Sequence, residues 1–297
     1  MAQTPQLPIA AKELIPHREK MALLKELTDF SDNYAHSIQT VMQEDLFVNR
    51  GNELDSIVFV ELLAQLASAY SGYDALINSG KLKNGFLVGI QNFSIMQDVR
   101  VGDVLSLVID KKTEIDKISF FDAAIKSDDL SLASGTIKVW ESEGEMPTDS
   151  QCRSVIPEKN IGDIASLIEK FSQISNLNRE ILNNLYSFNR SSESCQITGD
   201  FFFDESFIGF QGHFPGFSIF PGVLLLKIGA LVSELALNKR LMITKIHNAK
   251  FIKLVFPNQS FQCRVNIEQD GDGFKCKATF FRNDEQVSIF SFSAEEK

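Results

Sequence analysis

The sequence predicts an α+β protein in which one plan, a long helix laid on a curved antiparallel sheet, occurs twice in one chain. Three observations lead there. Each half has one long apolar stretch at helical spacing, IVFVELLAQLASAYSGYDALI in the first and PGVLLLKIGALVSELAL in the second. Each stretch is followed by several strand-like runs bounded by turn residues. A segment of the first half, GIQNFSIMQDVRVGDVL, aligns without gaps on KIHNAKFIKLVFPNQSF of the second. Ile90 then matches Ile246, Asn92 matches Asn248 and Val99 matches Val255, each pair 156 positions apart, which is the signature of an internal repeat.

Taken in order, alternating residues around Met21–Phe30 and Tyr34–Met42 predict two strands. The polar loop QEDLFVNRGNELDS leads into the first helix, which carries the small residues Ala64, Ala67, Ser68 and Gly72 on one side. Strands are expected in FLVGIQNFSIM, VLSLVIDKKTEI, ISFFDAAIKSDD and LASGTIKVW. Residues 141–160 are polar, with Pro147 and Pro157, and read as a linker. A moderately helical stretch, Ile161–Leu185, bridges the halves. The second half has a strand in SCQITGDFFF, then a loop and the second helix. Strands follow in LMITKIHNAKFIKLV, SFQCRVNIEQDG, GFKCKATFFRN and EQVSIFSFSAE, with QDGDGF as a hairpin turn. The expected division is 1–145, a linker with a helix at 146–185, and 186–297.

Composition narrows the function. The 297 residues are 44% hydrophobic and 23% charged, which suits a globular chain with a real core. Phe occurs 25 times against 4 Tyr and 1 Trp, so either a plain apolar core or an apolar tunnel is expected. A net charge of −10 argues against nucleic acid as a partner. Cys152, Cys195, Cys263 and Cys276 have neither CxxC nor Cys/His ligand spacing, so no metal, cofactor or disulfide framework is expected. No run approaches a membrane span and no apolar signal region follows Met1, so a cytoplasmic location without a membrane partner is expected.

The residues that point to chemistry lie in GHFPGFSIFPGVLLLK. His213 sits between Gly212 and Gly216, with Pro215 and Pro221 stiffening the loop ahead of the helix. A lone histidine there could simply cap or pack, but this Gly/Pro frame argues for a fixed functional position.

The stretch resembles the active-site loop of the hotdog-fold β-hydroxyacyl-acyl-carrier-protein dehydratases. That family's pattern is His-Phe-Pro-Gly, then Pro-Gly-Val, then an acid on the central helix fourteen positions after the histidine. His213, Phe214, Pro215, Gly216, Pro221, Gly222 and Val223 match it, but the acid position holds Lys227. LIPHREKMALLKEL resembles the family's strand entry, and VGIQNFSIMQDVRVGD its later strand pair. Aligning the two helices puts Glu61 opposite Lys227 and Gln65 opposite Leu231, and VELLAQ resembles the family's Glu-x-x-x-Gln helix face. Fourteen positions before Glu61 stands Phe47, with no His-Phe-Pro-Gly around it. One half has kept the base and the other the acid.

The resemblance implies a double hotdog, each half a long central helix wrapped by an antiparallel sheet. In the family the histidine and the acid of one site come from different subunits, so it also implies one composite site from His213 and Glu61, with a dead counterpart at Phe47 and Lys227. The implied activity is dehydration of a (3R)-hydroxyacyl thioester on acyl carrier protein. His213 would take the C2 proton, Glu61 would protonate the leaving hydroxyl, and the Gly222 N–H would receive the thioester oxygen. Phe214, Pro215, Gly216, Pro221, Val223 and Gln65 would shape the pocket. Lys245, Lys250 and Lys253, near Lys239 and Arg240, would dock the carrier, Lys245 and Lys253 sharing a strand face. His17 with Arg18 reads as closing a strand end, and His36 and His247 have no supporting context. The halves also resemble the two-subunit dehydratases of aryl-polyene pathways. An acyl-thioesterase using a helix carboxylate and water, a non-catalytic acyl-binding partner, and a homo-oligomer of the pseudo-dimer stay open.

Overall fold

The strand-like runs join into one continuous antiparallel sheet, seen in a computed structural model that describes residues 5–78, 84–142, 154, 156–191 and 196–297. The first half supplies β1 (Asp29–Ser31), β2 (Tyr34–Thr40), β3 (Asn84–Ile95), β4 (Val104–Ile115), β5 (Ile118–Ser127) and β6 (Leu130–Ser142). The second supplies β7 (Leu185–Arg190), β8 (Gln196–Phe203), β9 (Leu241–Phe251), β10 (Gln259–Asp270), β11 (Gly273–Arg282) and β12 (Glu285–Glu296). Among the described residues the order is β7-β8-β10-β11-β12-β9-β3-β6-β5-β4-β2-β1. Buried and exposed positions alternate along β5, as expected for a sheet with one face on a core.

The sheet is continuous because β3 and β9 pair across its centre, and their register is reciprocal. Ile246, the repeat counterpart of Ile90, pairs with Phe93, and Ala249, the counterpart of Phe93, pairs with Ile90. Self-complementary pairing of this kind is what a two-fold dimer interface shows, here formed inside one chain. This pseudo-two-fold relation turns the two central helices, α1 (Val58–Asn78) and α4 (Gly222–Leu237), toward each other across the seam. Both are buried nearly all round, since the sheet wraps them. Asn238 ends α4 in the left-handed conformation, its N–H donating to the Glu234 carbonyl.

Several elements depart from the sequence reading. The run expected as a strand over Met21–Phe30 is only paired at Glu26–Leu27 and Asp29–Ser31, and Glu19–Met21 is a 3-10 turn. The reason is a buried side chain: the N–H groups of Leu23 and Leu24 both donate to Oε1 of Gln65 at 3.0 Å, in place of a strand partner. The bridging helix is two helices, α2 (Ala165–Ser172) and α3 (Asn176–Asn183), because Ser175 adopts an extended conformation and caps α3 through the Asn178 N–H. Leu185–Arg190, whose start was expected to end that helix, is an edge strand. Most of the expected linker, including Pro147, lies outside the described residues.

The N-terminal segment packs directly on α1. Gly72 is what permits this: a Cβ there would lie 2.3 Å from the Leu14 carbonyl oxygen. Gly72→Ala sets a helix-propensity gain of about 1 kcal/mol against overpacking of backbone that costs about 1–3 kcal/mol. The clash is with main chain, so overpacking should win and the melting temperature should fall. An unchanged or higher value would mean the segment is not held this closely.

Candidate active site

Glu61 lies in the first turn of α1 and is only 5% exposed. Its Oε1 accepts a hydrogen bond from the Gln65 amide at 2.8 Å. Gln65 is itself fixed, donating to the Met21 carbonyl and accepting from Leu23 and Leu24. The carboxyl therefore has a set orientation. Burial raises its pKa, offset in part by the Gln65 bond, which favours the protonated acid.

His213 is likewise 5% exposed. Its Nδ1 lies 2.8 Å from the Ile219 carbonyl oxygen, which can only accept, so Nδ1 carries the proton and Nε2 offers a lone pair. Burial drives the imidazole pKa down to about 4, against the opposing effect of that hydrogen bond. The loop around it is strained: Phe214 has a φ of 56°, in the region that favours glycine. Phe214 is held by stacking on Phe86 of β3, ring centroids 5.0 Å apart, which is a contact between the two halves.

The structure brings the two groups together and adds a third. One ring nitrogen each of His17 and His213 and one carboxylate oxygen of Glu61 lie within 4.8 Å of one another. His17 Nε2 is 3.5 Å from Glu61 Oε1, and its ring centroid is 5.2 Å from that of His213. Its pKa is well below the ordinary value, from burial first and then from His213 and Arg18. The expectation that His17 merely closes a strand end is corrected. Its neighbour Arg18 donates its N–H to the Gly212 carbonyl at 2.8 Å, which ties this segment to the histidine loop. Gly212, at φ 82°, has no room for a Cβ, which would fall 1.8 Å from the Arg18 carbonyl oxygen.

These side chains line a cavity of about 70 Å³ walled by Phe86, Phe214, Leu225 and Phe251. Two buried polar atoms of its lining residues, His17 Nδ1 and Ser68 Oγ, have no partner among the described residues. Gly222 also lines it and opens α4, where first-turn N–H groups have no acceptor within the helix. A groove of about 520 Å³ adjoins the cavity, sharing Phe86, Phe251 and Lys253 and continuing past Trp140 to Arg282 and Glu285.

Not every expected pocket residue lies there. Pro215 and Gly216 sit at the exposed tip of the loop, Val223 points into the core, and Pro221 is buried as the α4 cap. Gln65 stands behind Glu61 and orients it, outside the cavity lining. The lysines do not share a strand face either. Two register shifts interrupt β9 between Ile243 and Asn248, and Lys253 lies beyond its end. Lys253 stands at the groove and pairs with Glu285, Lys250 is exposed, and Lys239 pairs with Glu296. Arg240 lines the other cavity.

That other cavity is the counterpart position. Phe47 and Lys227 both line it, and Ile174, Ser175, Leu177 and Asn178 from the α2–α3 segment form part of its wall. Lys227 pairs with Asp55 at 2.6 Å. Burial alone would lower the ammonium pKa, but Asp55 and Glu234 outweigh it and the value ends raised. The lysine is thus a paired buried charge, and among the described residues no histidine lines this cavity.

Comparison with known proteins agrees with this geometry. Residues 9–150 match the ApeP-like family (ApeP dehydratase) and residues 189–290 the ApeI-like family (ApeI dehydratase). The 3-hydroxyacyl-[acyl-carrier-protein] dehydratase FabZ of Wolbachia pipientis wMel is 36% identical over 102 residues, 31% of this chain and 68% of that protein. The FabZ of Lactobacillus helveticus is 34% identical over 96 residues, 29% and 64% of the two chains. The chain belongs to the hotdog-fold 3-hydroxyacyl-acyl-carrier-protein dehydratase family. Within it, the first half is ApeP-like and the second ApeI-like. The double-hotdog fold is shared with an oleoyl thioesterase (putative) from Lactobacillus plantarum, 9% identical with a TM-score of 0.58 over 90% of this chain and 98% of that one. It is shared too with the dehydratase domain of PpsC from Mycobacterium tuberculosis, 10% identical with a TM-score of 0.52 over 91% and 96%.

Glu61→Gln keeps the shape and an acceptor for Gln65 but cannot ionise. In the native protein the raised pKa of Glu61 costs stability as pH rises from the ordinary carboxyl value through the folded one. The melting temperature of Glu61→Gln should therefore match or exceed that of the native protein, by a margin that grows over that pH range and then levels. A margin that shrinks with rising pH would mean the carboxylate is stabilised in place.

Proposed function

We propose that this chain dehydrates (3R)-hydroxyacyl thioesters on acyl carrier protein, using one composite site built from both halves, residues 1–145 and 186–297. The observation that carries the reading is the meeting of His213 and Glu61 in one cavity, where burial lowers the imidazole pKa and raises that of the carboxyl. Neutral His213 Nε2 takes the C2 proton. Protonated Glu61 gives its proton to the 3-hydroxyl, which leaves as water. The Gly222 N–H, at the positive end of α4, receives the charge that grows on the thioester oxygen. Ser68 Oγ and His17 Nδ1 are free to meet polar atoms of the substrate. The apolar groove beside Trp140 suits an extended acyl or pantetheine chain, and Lys253, where groove and cavity adjoin, and Arg282, further along the groove, suit the acidic groups of a carrier-bound substrate. Among the described residues no helix is long and apolar enough to cross a membrane. The buried free thiols of Cys263 and Cys276 fit the cytoplasm.

Hydration of a crotonyl thioester, the reverse reaction, tests this. His213→Ala and Glu61→Gln should each lower kcat by ~10²–10⁴-fold, as loss of a general acid or base does. Lys227→Glu should not rescue Glu61→Gln, because no histidine faces that position. In the native protein kcat/KM should hold as pH falls through the ordinary histidine range and drop only near a pH of about 4, where His213 becomes protonated. Free thiol release in place of hydration would mean a thioesterase.

Charge reversal of Lys250 and Lys253 should raise KM for carrier-bound substrate, less so in high salt. Turnover of a small pantetheine thioester should stay nearly unchanged on reversal of Lys250 alone, which is exposed and lines neither cavity nor groove. Equal loss on both substrates would assign these lysines to the fold or the groove.

A further inference from the structure

We infer that the His17–Glu61–His213 cluster is also a binding site for one divalent late transition-metal ion of the Zn²⁺ class, held by two imidazoles and one carboxylate. Binding rests on these three side chains alone; only its consequence, exclusion of substrate, rests on the dehydratase reading.

The donor set and spacing are those of a metal site. Nitrogen and oxygen ligands bind Zn²⁺ at about 2.0–2.2 Å, which sets tetrahedral donors about 3.4 Å apart. His17 Nε2 and Glu61 Oε1 stand at 3.5 Å, too long for a good hydrogen bond and close to that separation. A His213 nitrogen completes the set within 4.8 Å, so closing on an ion takes a shift of about 1 Å into a cavity that has space for it.

The supporting shell is already in place. His213 holds its Nδ1–H on the Ile219 carbonyl and presents Nε2, the arrangement that fixes a metal-binding imidazole. Gln65 orients the Glu61 carboxylate from behind and is anchored on three main-chain groups. His17 is under-satisfied, since its buried Nδ1 has no partner among the described residues, and turning its ring breaks no bond at that atom.

Ligand type sets the selectivity. Imidazole pairs favour Zn²⁺, Cu²⁺, Ni²⁺ or Fe²⁺ over Mg²⁺ and Ca²⁺, which prefer all-oxygen sites. The three donors line the cavity that Phe86 and Leu225 also wall, and the adjoining groove beside Trp140 offers an entry path. The ion occupies the nitrogen that acts as base and the carboxylate that acts as acid, so metal and thioester exclude each other. Sequence spacing does not reveal the site, because its ligands lie 44 and 152 positions apart, on three separate segments.

The test is a titration of metal-free protein with Co²⁺, read by visible absorption, and with Zn²⁺, read by calorimetry. One ion per chain is expected, with the intense bands of low-coordinate Co²⁺ and a Zn²⁺-dependent rise in melting temperature. His17→Asn and Glu61→Gln should each weaken binding by more than the ~10–100-fold that loss of an outer-shell partner costs. The double variant His36→Asn/His247→Asn, which removes the histidines outside the cluster, should bind as the native protein does. Zn²⁺ should compete with the thioester in steady-state kinetics. The inference is overturned if the native protein shows no Co²⁺ bands, or if they persist unchanged in both His17→Asn and Glu61→Gln. Failure of the dehydratase reading would show separately, as metal-free native protein that does not hydrate crotonyl thioester.

Discussion

The pairing of β3 with β9 is the constraint on which the rest depends. Its reciprocal register makes the two halves behave as a two-fold dimer. That symmetry alone brings the histidine loop of the second half to the helix start of the first. The same operation must create a second, equivalent place, where Phe47 and Lys227 meet. One covalent chain therefore has two site positions and freedom to keep only one of them.

What happened at the two positions differs in kind. At the first, burial lowers the pKa of an imidazole and raises that of a carboxyl, so desolvation favours the uncharged form of both groups. At the second, burial is offset by charge: Lys227 is paired with Asp55 beside Glu234, under a wall supplied by the α2–α3 segment. A lone buried lysine would be costly, so the ion pair explains how the substitution is accommodated. Gly212 and Gly72 have a related role, since each lets a neighbouring backbone come closer than any side chain allows.

The repeat, the two helices and the meeting of His213 with Glu61 were legible because each leaves a local mark. Ile90 and Ile246 keep their offset, His213 sits in a Gly/Pro frame, and Glu61 interrupts an apolar helix. His17 was not legible as a site residue. Its role depends on docking of residues 11–18 against α1 and Gly212, and the one local cue, its place next to Arg18 at a strand entry, pointed to structure. Gln65 was placed on the right face but given the wrong task, because three main-chain groups 41 to 44 positions away claim it. The lysine pattern failed for a different reason. Period-two reasoning assumes an unbroken strand, and β9 has two register shifts and ends before Lys253.

The most direct measurement is a crystal structure with a non-hydrolysable amide analogue of a 3-hydroxyacyl pantetheine thioester. The account predicts one analogue per chain, its C2 facing His213 Nε2, its 3-hydroxyl on Glu61 and its pantetheine in the groove beside Trp140. An analogue seated in the cavity of Phe47 and Lys227, or bound with His213 and Glu61 on opposite sides of a wall, would contradict it.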